Sequence, residues 1–250
     1  MILSHMNKLV MITILLVTAS GCGDKASAGE SLEGEGTLLI FSKTEGFRHD
    51  SIEDGAAALQ QLAKDKGWSS EHTEDASVFT PESLKGYDAV IFLSTTGNIL
   101  NDEQQKAFEQ YIQNGGGFVG IHAAADTEYE WPWYGKLVGA YFESHPHIQE
   151  ATLVLMDADH PSTSFLPEQW QRTDEWYNYK EINPDIHVLL NLDESSYEGG
   201  NNGEHHPAAW YHEYDGGRAF YTAGGHTSES YEEELFLKHV WGGIEYAVAK

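Results

Sequence analysis

Three short, unbroken apolar runs limit what this chain can fold into: Thr37–Ser42 (TLLIFS), Tyr87–Ser94 (YDAVIFLS) and Phe118–Ile121 (FVGI). A strand that is apolar on both faces has to be covered on both, which calls for a parallel sheet between layers of helices. The intervening segments supply those helices. Ile52, Ala56, Leu59, Leu62 and Ala63 follow helical spacing, and the pattern stops at Gly67. Asn101 predicts an N-cap, with Gln104 placed to return a hydrogen bond. Ala107, Phe108, Tyr111 and Ile112 form the inner face of that helix, and Gly115–Gly117 end it. The second half reads differently. Strand-like pieces occur at Ala151–Met156, His187–Leu192, Ala208–Tyr214 and Arg218–Thr222, with a closing helix over Tyr231–Val248. Asp215-Gly216-Gly217 between the last two strands predicts a hairpin. The expected fold is therefore α/β, three-layered and flavodoxin-like, with a mainly parallel sheet and late antiparallel strands.

The N-terminus reads as a targeting segment. Residues 9–17 (LVMITILLV) are apolar, preceded by Lys8 and followed by Ala19, Ser20, Gly21 and Cys22. The run is too short for a mature span, which needs about 20 residues, and suits a secretory signal with a small-residue cleavage site. Ala-Ser-Gly-Cys resembles a bacterial lipobox, which implies lipid on Cys22; an ordinary signal peptide is the other reading. Residues 1–21 are thus expected to be a lipoprotein signal, 22–36 a Gly/Ser/Glu-rich flexible tether and 37–250 one domain. The expected location is outside the cytoplasm, periplasmic or at the cell surface, with membrane contact through the lipid only.

Charge excludes one class of partner. With 14 Lys plus Arg against 40 Asp plus Glu, the net charge is −26, and a nucleic-acid polyanion would be repelled. The single Cys excludes an internal disulfide framework and a Cys-rich zinc site.

The segment GGGFVGIHAAADT, residues 115–127, carries the sharpest functional signal. Its strand ends at Ile121, so His122 sits at a strand-to-helix turn. In open α/β sheets, ligands bind outside the carboxyl ends of the strands. Amide groups of the following helix could stabilise negative charge there. On position alone, His122 is equally a hydrogen-bonded structural residue.

Five segments together resemble the ThuA-like (trehalose utilisation) family, within the class I glutamine amidotransferase-like fold. They are GFRH (46–49), GIHAAADT (120–127), WPWYGKLVGAYFESHP (131–146), DEWY (174–177) and HPAAWYHEYDGGRAFYTAGGH (206–226). The resemblance implies that fold and a pocket at the turn carrying His122. True amidotransferases hold a Cys nucleophile at this turn. Here it is His122, and no Cys exists between residues 37 and 250, so glutamine hydrolysis through a thioester is excluded. The family's association with trehalose and keto-sugars implies hydrolysis, elimination or isomerisation.

His49, His122, Glu175 and His226 are accordingly expected to converge as catalytic residues. His122 would act as base or acid, and Glu175 as acid or orienter. Asp126, Asp174, Trp176, Tyr177, Trp210 and Thr227 are expected to bind substrate. No close-spaced zinc motif is present, yet His49, His122 and His226 could hold a divalent ion such as zinc. Asp126 and Glu175 could instead form a two-carboxylate glycosidase pair. His72, His187, His212 and His239 read as structural, and His145 and His160 stay open, with His147 the weaker candidate. Aromatic rings interleaved with carboxylates and amides suit a carbohydrate ligand, and no phosphate-binding loop is present. Two functions follow: an exported carbohydrate-active enzyme, or a noncatalytic carbohydrate-binding lipoprotein.

Overall fold

The computed structural model describes residues 35–249. The expected signal sequence and Cys22 lie outside the described residues. The three apolar runs form β1 (Thr37–Phe41), β3 (Ala89–Leu93) and β4 (Gly117–Ile121). β3 and β4 are buried along their whole length, as unbroken apolar strands must be. β2 (Ser69–Thr73) pairs in parallel with β1 at the sheet edge. Its polar sequence, SSEHT, gave no apolar signal because an edge strand can stay half exposed.

On the other side, β11 (Gly217–Thr222) joins β4 in parallel. β10 (Pro207–Tyr214) runs antiparallel to it, followed by β9 (His187–Asp193), β6 (Gln149–Leu155) and β7 (Gln169–Asp174). The sheet has nine strands in the order β2-β1-β3-β4-β11-β10-β9-β6-β7. β5 (Tyr141–Ser144) and β8 (Asn178–Lys180) form a separate antiparallel pair. The β10–β11 hairpin turns on Asp215 and Gly216, whose φ values of 49° and 100° are the left-handed pair that such a turn requires.

Helices cover both faces. α1 (Ile52–Asp65) and α5 (Glu234–Val248) pack together and against the parallel strands. α2 (Pro81–Leu84), α3 (Asp102–Gln113) and α4 (Pro132–Val138) lie on the opposite face. There Phe92 stacks on Phe108 and Tyr134. The Asn101–Gln104 capping box forms as its spacing predicts. The closing helix starts three residues later than expected. Tyr231 instead belongs to a 3-10 turn over Ser228–Glu232, with its ring buried against Phe236. The element after His122 is likewise a 3-10 turn, His122–Asp126, too short to offer a helix dipole to a ligand.

β7 lies four strands from β11 in the sheet order. Yet the Asp174 carboxylate at its end accepts hydrogen bonds from Gly225 N and His226 N beyond β11. The antiparallel half therefore curls back over the carboxyl ends of the parallel strands, and that curl closes the site.

Candidate functional site

Each functional side chain is delivered by the end of a strand. His122 follows β4 directly with φ 51°, a left-handed conformation uncommon for a non-glycine residue. Its Nδ1–H donates to Ala223 O at 2.8 Å, and Tyr221 OH donates to the His122 carbonyl at 2.7 Å. Nε2 lies 3.1 Å from His226 Nδ1 and faces Glu175. The Tyr177 ring packs on His122 at 4.3 Å between centroids.

His49 comes from the loop after β1. Its ring lies 4.8 Å from that of His122 and 5.0 Å from that of His226. The side chain is buried, and Nδ1 has no hydrogen-bond partner. Burial first, and the neighbouring histidines second, lower its pKa to about 3, so the imidazole is neutral at physiological pH. His226 follows β11 after Gly225, whose φ of 111° and 2.7 Å clearance from a would-be Cβ to Tyr231 OH both demand glycine.

Glu175 follows β7. Its Oε2 lies 3.1 Å from His226 Nδ1 and 3.6 Å from His122 Nε2, and its Oε1 lies 2.9 Å from His145 Nδ1. Burial opposes ionisation of this carboxyl, but hydrogen bonds and charge from His122 and His226 outweigh it and hold the pKa below the usual range. The same partnership raises His226 against the lowering effect of burial. Glu175 is thus an orienting or ligating carboxylate; the proton-donor role expected as one option does not suit it.

Ligand atoms from His49, His122, Glu175 and His226 all lie within 4.8 Å of one another. Tetrahedral ligands on zinc bonds of roughly 2.0–2.2 Å stand about 3.4 Å apart, so atoms gathered this closely can be drawn onto one ion. Imidazole and carboxylate suit zinc and its neighbours in the first transition row.

Several expected substrate contacts are corrected. Asp174 is fully buried, and its carboxylate is used up by Glu175 N, Gly225 N, His226 N, Ser230 Oγ and Arg172. It braces the loop that carries His226. Trp176 and Trp210 are fully buried, and their indole N–H groups donate to Gln149 O and Val138 O, so they pack the core and reach no ligand. Tyr177 is buried and backs His122. Asp126 and Thr227 are partly exposed near the cluster. Burial raises the Asp126 carboxyl, opposed by a 2.5 Å hydrogen bond from Tyr129 OH.

His212 and His239 are held by backbone carbonyls, His72 by Ser42 Oγ and His160 by Ser162 Oγ. His145 joins the cluster through Glu175. Its only sequence signal was its place in the 131–146 segment. Phe47, inside GFRH, was passed over; it is 66% exposed and edges against His49. A separate cleft lined by Leu84, Tyr87, Asp88, Tyr111 and Gly116 opens at the amino ends of the strands and has no histidine in its lining.

The sequence profile of the ThuA family, described as trehalose utilisation, matches residues 37–247. The chain belongs to the ThuA family. Among solved structures, a ThuA-like protein from Bacteroides uniformis is 26% identical with a TM-score of 0.73, over 86% of this chain and 91% of that one. A ThuA-like protein from Parabacteroides merdae is 21% identical with a TM-score of 0.71, over 86% and 91% of the two chains. A β-galactosidase from Bacillus circulans shares the fold alone, at 13% identity and a TM-score of 0.54, over 84% of this chain and 30% of its own. No curated protein matches the sequence significantly. The fold is a mixed α/β architecture with a mainly parallel sheet and late antiparallel strands. Family membership supports a carbohydrate-related role, and in this ThuA domain the turn after β4 carries an imidazole in place of a thiol.

Proposed function

We propose that this ThuA protein is an exported enzyme acting on a glycoside or keto-sugar at a divalent-metal centre formed by His49, His122, Glu175 and His226. One observation carries the reading: three imidazoles and a carboxylate from four separate segments bring ligand atoms within 4.8 Å of one another. A bound ion such as zinc would supply Lewis-acid polarisation of a sugar oxygen. The chain supplies the rest. His122 is fixed in one tautomer by Ala223 O, and His226 is held in place by Asp174. Asp126, whose carboxyl is raised by burial, is the group at the rim suited to move a proton. Hydrolysis, elimination and isomerisation of a sugar all fit this equipment.

Export and anchoring are part of the proposal. The apolar run at 9–17 and the small residues before Cys22 support a lipoprotein signal. No helix of the described residues is long and apolar enough to cross a membrane. Cys22→Ala should release the protein into the soluble fraction, and unchanged membrane association would refute the anchor.

The decisive test combines metal analysis with a panel of glycosides and 3-keto-glycosides. Wild type should hold a stoichiometric divalent ion and lose turnover on chelation. His122→Ala should lower turnover by about 10²-fold or more. Turnover indifferent to chelation removes the metal from the mechanism. Sugar binding without product from any substrate makes the protein a binding module.

A further inference from the structure

Phe47 stands apart from the other large apolar residues near the site. Its side chain is 66% exposed, while Tyr177 and His49 beside the cluster are buried. Exposing an aromatic ring forgoes about 25 cal/mol for each Å² left in water. The ring is also not on a slack loop. Glu45 N donates to Thr96 O at 2.8 Å, Gly46 N donates to Thr96 Oγ1 at 3.2 Å, and Thr96 Oγ1 donates to Phe47 O at 2.8 Å. A bridge between Thr44 and Thr96 extends the same seam. Gly97 N then donates to Asp126 O at 3.0 Å, so one loop braces Phe47 on one side and Asp126 on the other. The Phe47 ring meets His49 edge-to-face, 4.9 Å between centroids. A rigid backbone thus presents a bare aromatic surface against the metal-ligand cluster.

The charges nearby select against an anionic ligand. Lys43 is paired with Glu45, Arg48 with Glu53 and Glu74, and Arg172 with Asp174 and Glu233. Lys180 lies over the Tyr129 ring at 4.9 Å and acts on Asp126. Each of these cations thus already has a partner, in a chain of net charge −26. Away from the ion itself, a phosphate or carboxylate on the ligand would find no unpaired cation among these and would meet a net negative surface. Sugars without such groups present C–H faces that pack on flat rings and hydroxyls that need carboxylates or imidazoles.

We infer that Phe47 is the stacking platform for an uncharged pyranose ring, which it sets against His49 at the edge of the cluster, an assignment that rests on the carbohydrate-directed reading of the same site. The ring's C–H face lies on Phe47, and its hydroxyls turn toward the cluster and Asp126.

The test is calorimetric titration of trehalose and trehalose 6-phosphate into the full-length, zinc-supplied protein, as wild type, Phe47→Ala and Phe47→Trp. Wild type should bind trehalose more tightly than its phosphate. Phe47→Ala should weaken trehalose about tenfold, the scale of one aromatic packing interaction. Phe47→Trp should restore binding, and metal content and melting temperature should stay unchanged in both variants. Equal trehalose affinity in Phe47→Ala, tighter binding of the phosphate, or no binding of either sugar to wild type overturns the assignment. Phe47-dependent binding without turnover of any glycoside leaves the platform standing and sinks the enzymatic reading. Turnover with no dependence on Phe47 does the reverse.

Discussion

Two buried histidine–carboxylate constellations sit a short distance apart in this molecule, and they differ in how completely their polar atoms are satisfied. In the first, His206 Nδ1 lies 2.8 Å from Glu194 Oε1, and Nε2 lies 2.8 Å from Tyr177 O. Each ring nitrogen lies within hydrogen-bonding distance of an oxygen. The same Glu194 oxygen also accepts from Asn202 N and Gly203 N. Every group has a partner, and the unit ties the loop after β9 to the backbone of Tyr177. In the second, His49, His122 and His226 crowd around Glu175, and His49 Nδ1 is left with none. An unpaired buried nitrogen is not diagnostic by itself, since His160 Nε2 and His212 Nδ1 also lack partners; what sets the second constellation apart is that four ligating groups from separate segments bring atoms within 4.8 Å of one another. Burial and a carboxylate neighbour alone do not separate function from structure; the convergence of several ligating groups does.

The largest contrast is expected in activity. His122→Ala should remove bound metal and lower turnover by about 10²-fold or more, with folding retained because Glu175 keeps His145 and His226 as partners. His206→Ala should leave metal content unchanged. If the two variants lose metal equally, the distinction between the sites fails.

Stability should show the opposite order. His206→Ala removes the imidazole that bridges Glu194 and Tyr177 O, which costs about 1–3 kcal/mol, with Glu194 partly exposed and still held by two backbone amides. Chemical denaturation at neutral pH would read this as a lower midpoint with unchanged slope. A midpoint equal to wild type would show that the network contributes nothing.

The smallest effect is a slope with pH. His239 and His160 are buried and their pKa values are lowered to about 3 and about 4, by burial first in both cases. Above the unfolded value of about 6.5, both are neutral folded and unfolded, and stability is at its full level. As pH falls below 6.5 toward 4, the unfolded chain takes up protons that the folded chain refuses. Stability should then drop by about 1.4 kcal/mol per pH unit for each residue. His239→Gln should flatten that slope between pH 6 and 4; an unchanged slope would show that His239 is not buried as a neutral group.

Much of the frame was legible from the residues. β1, β3 and β4 announced themselves because a strand covered on both faces leaves no room for polar side chains. The Asn101 cap and the Asp215-Gly216 hairpin were legible because both depend on local backbone chemistry. β2 was not, since an edge strand tolerates a polar sequence, and neither was β7, whose alternate residues face solvent.

The site divides along the same line. The sequence alone determined that a histidine, and no thiol, occupies the turn after β4, because the β4 run, its Gly-rich start and the single Cys at position 22 are all local or compositional facts. It also determined that His49 and His226 follow strands and so sit in loops. Only the tertiary structure decided that Glu175 joins them, because its strand lies at the far end of the sheet and reaches the cluster through a curl that no local pattern encodes. The same fold decided that Trp176 and Trp210 belong to the core and that Phe47 stays in water. An aromatic residue's partners are set by whichever segments pack against it, and those lie tens of residues away in the chain.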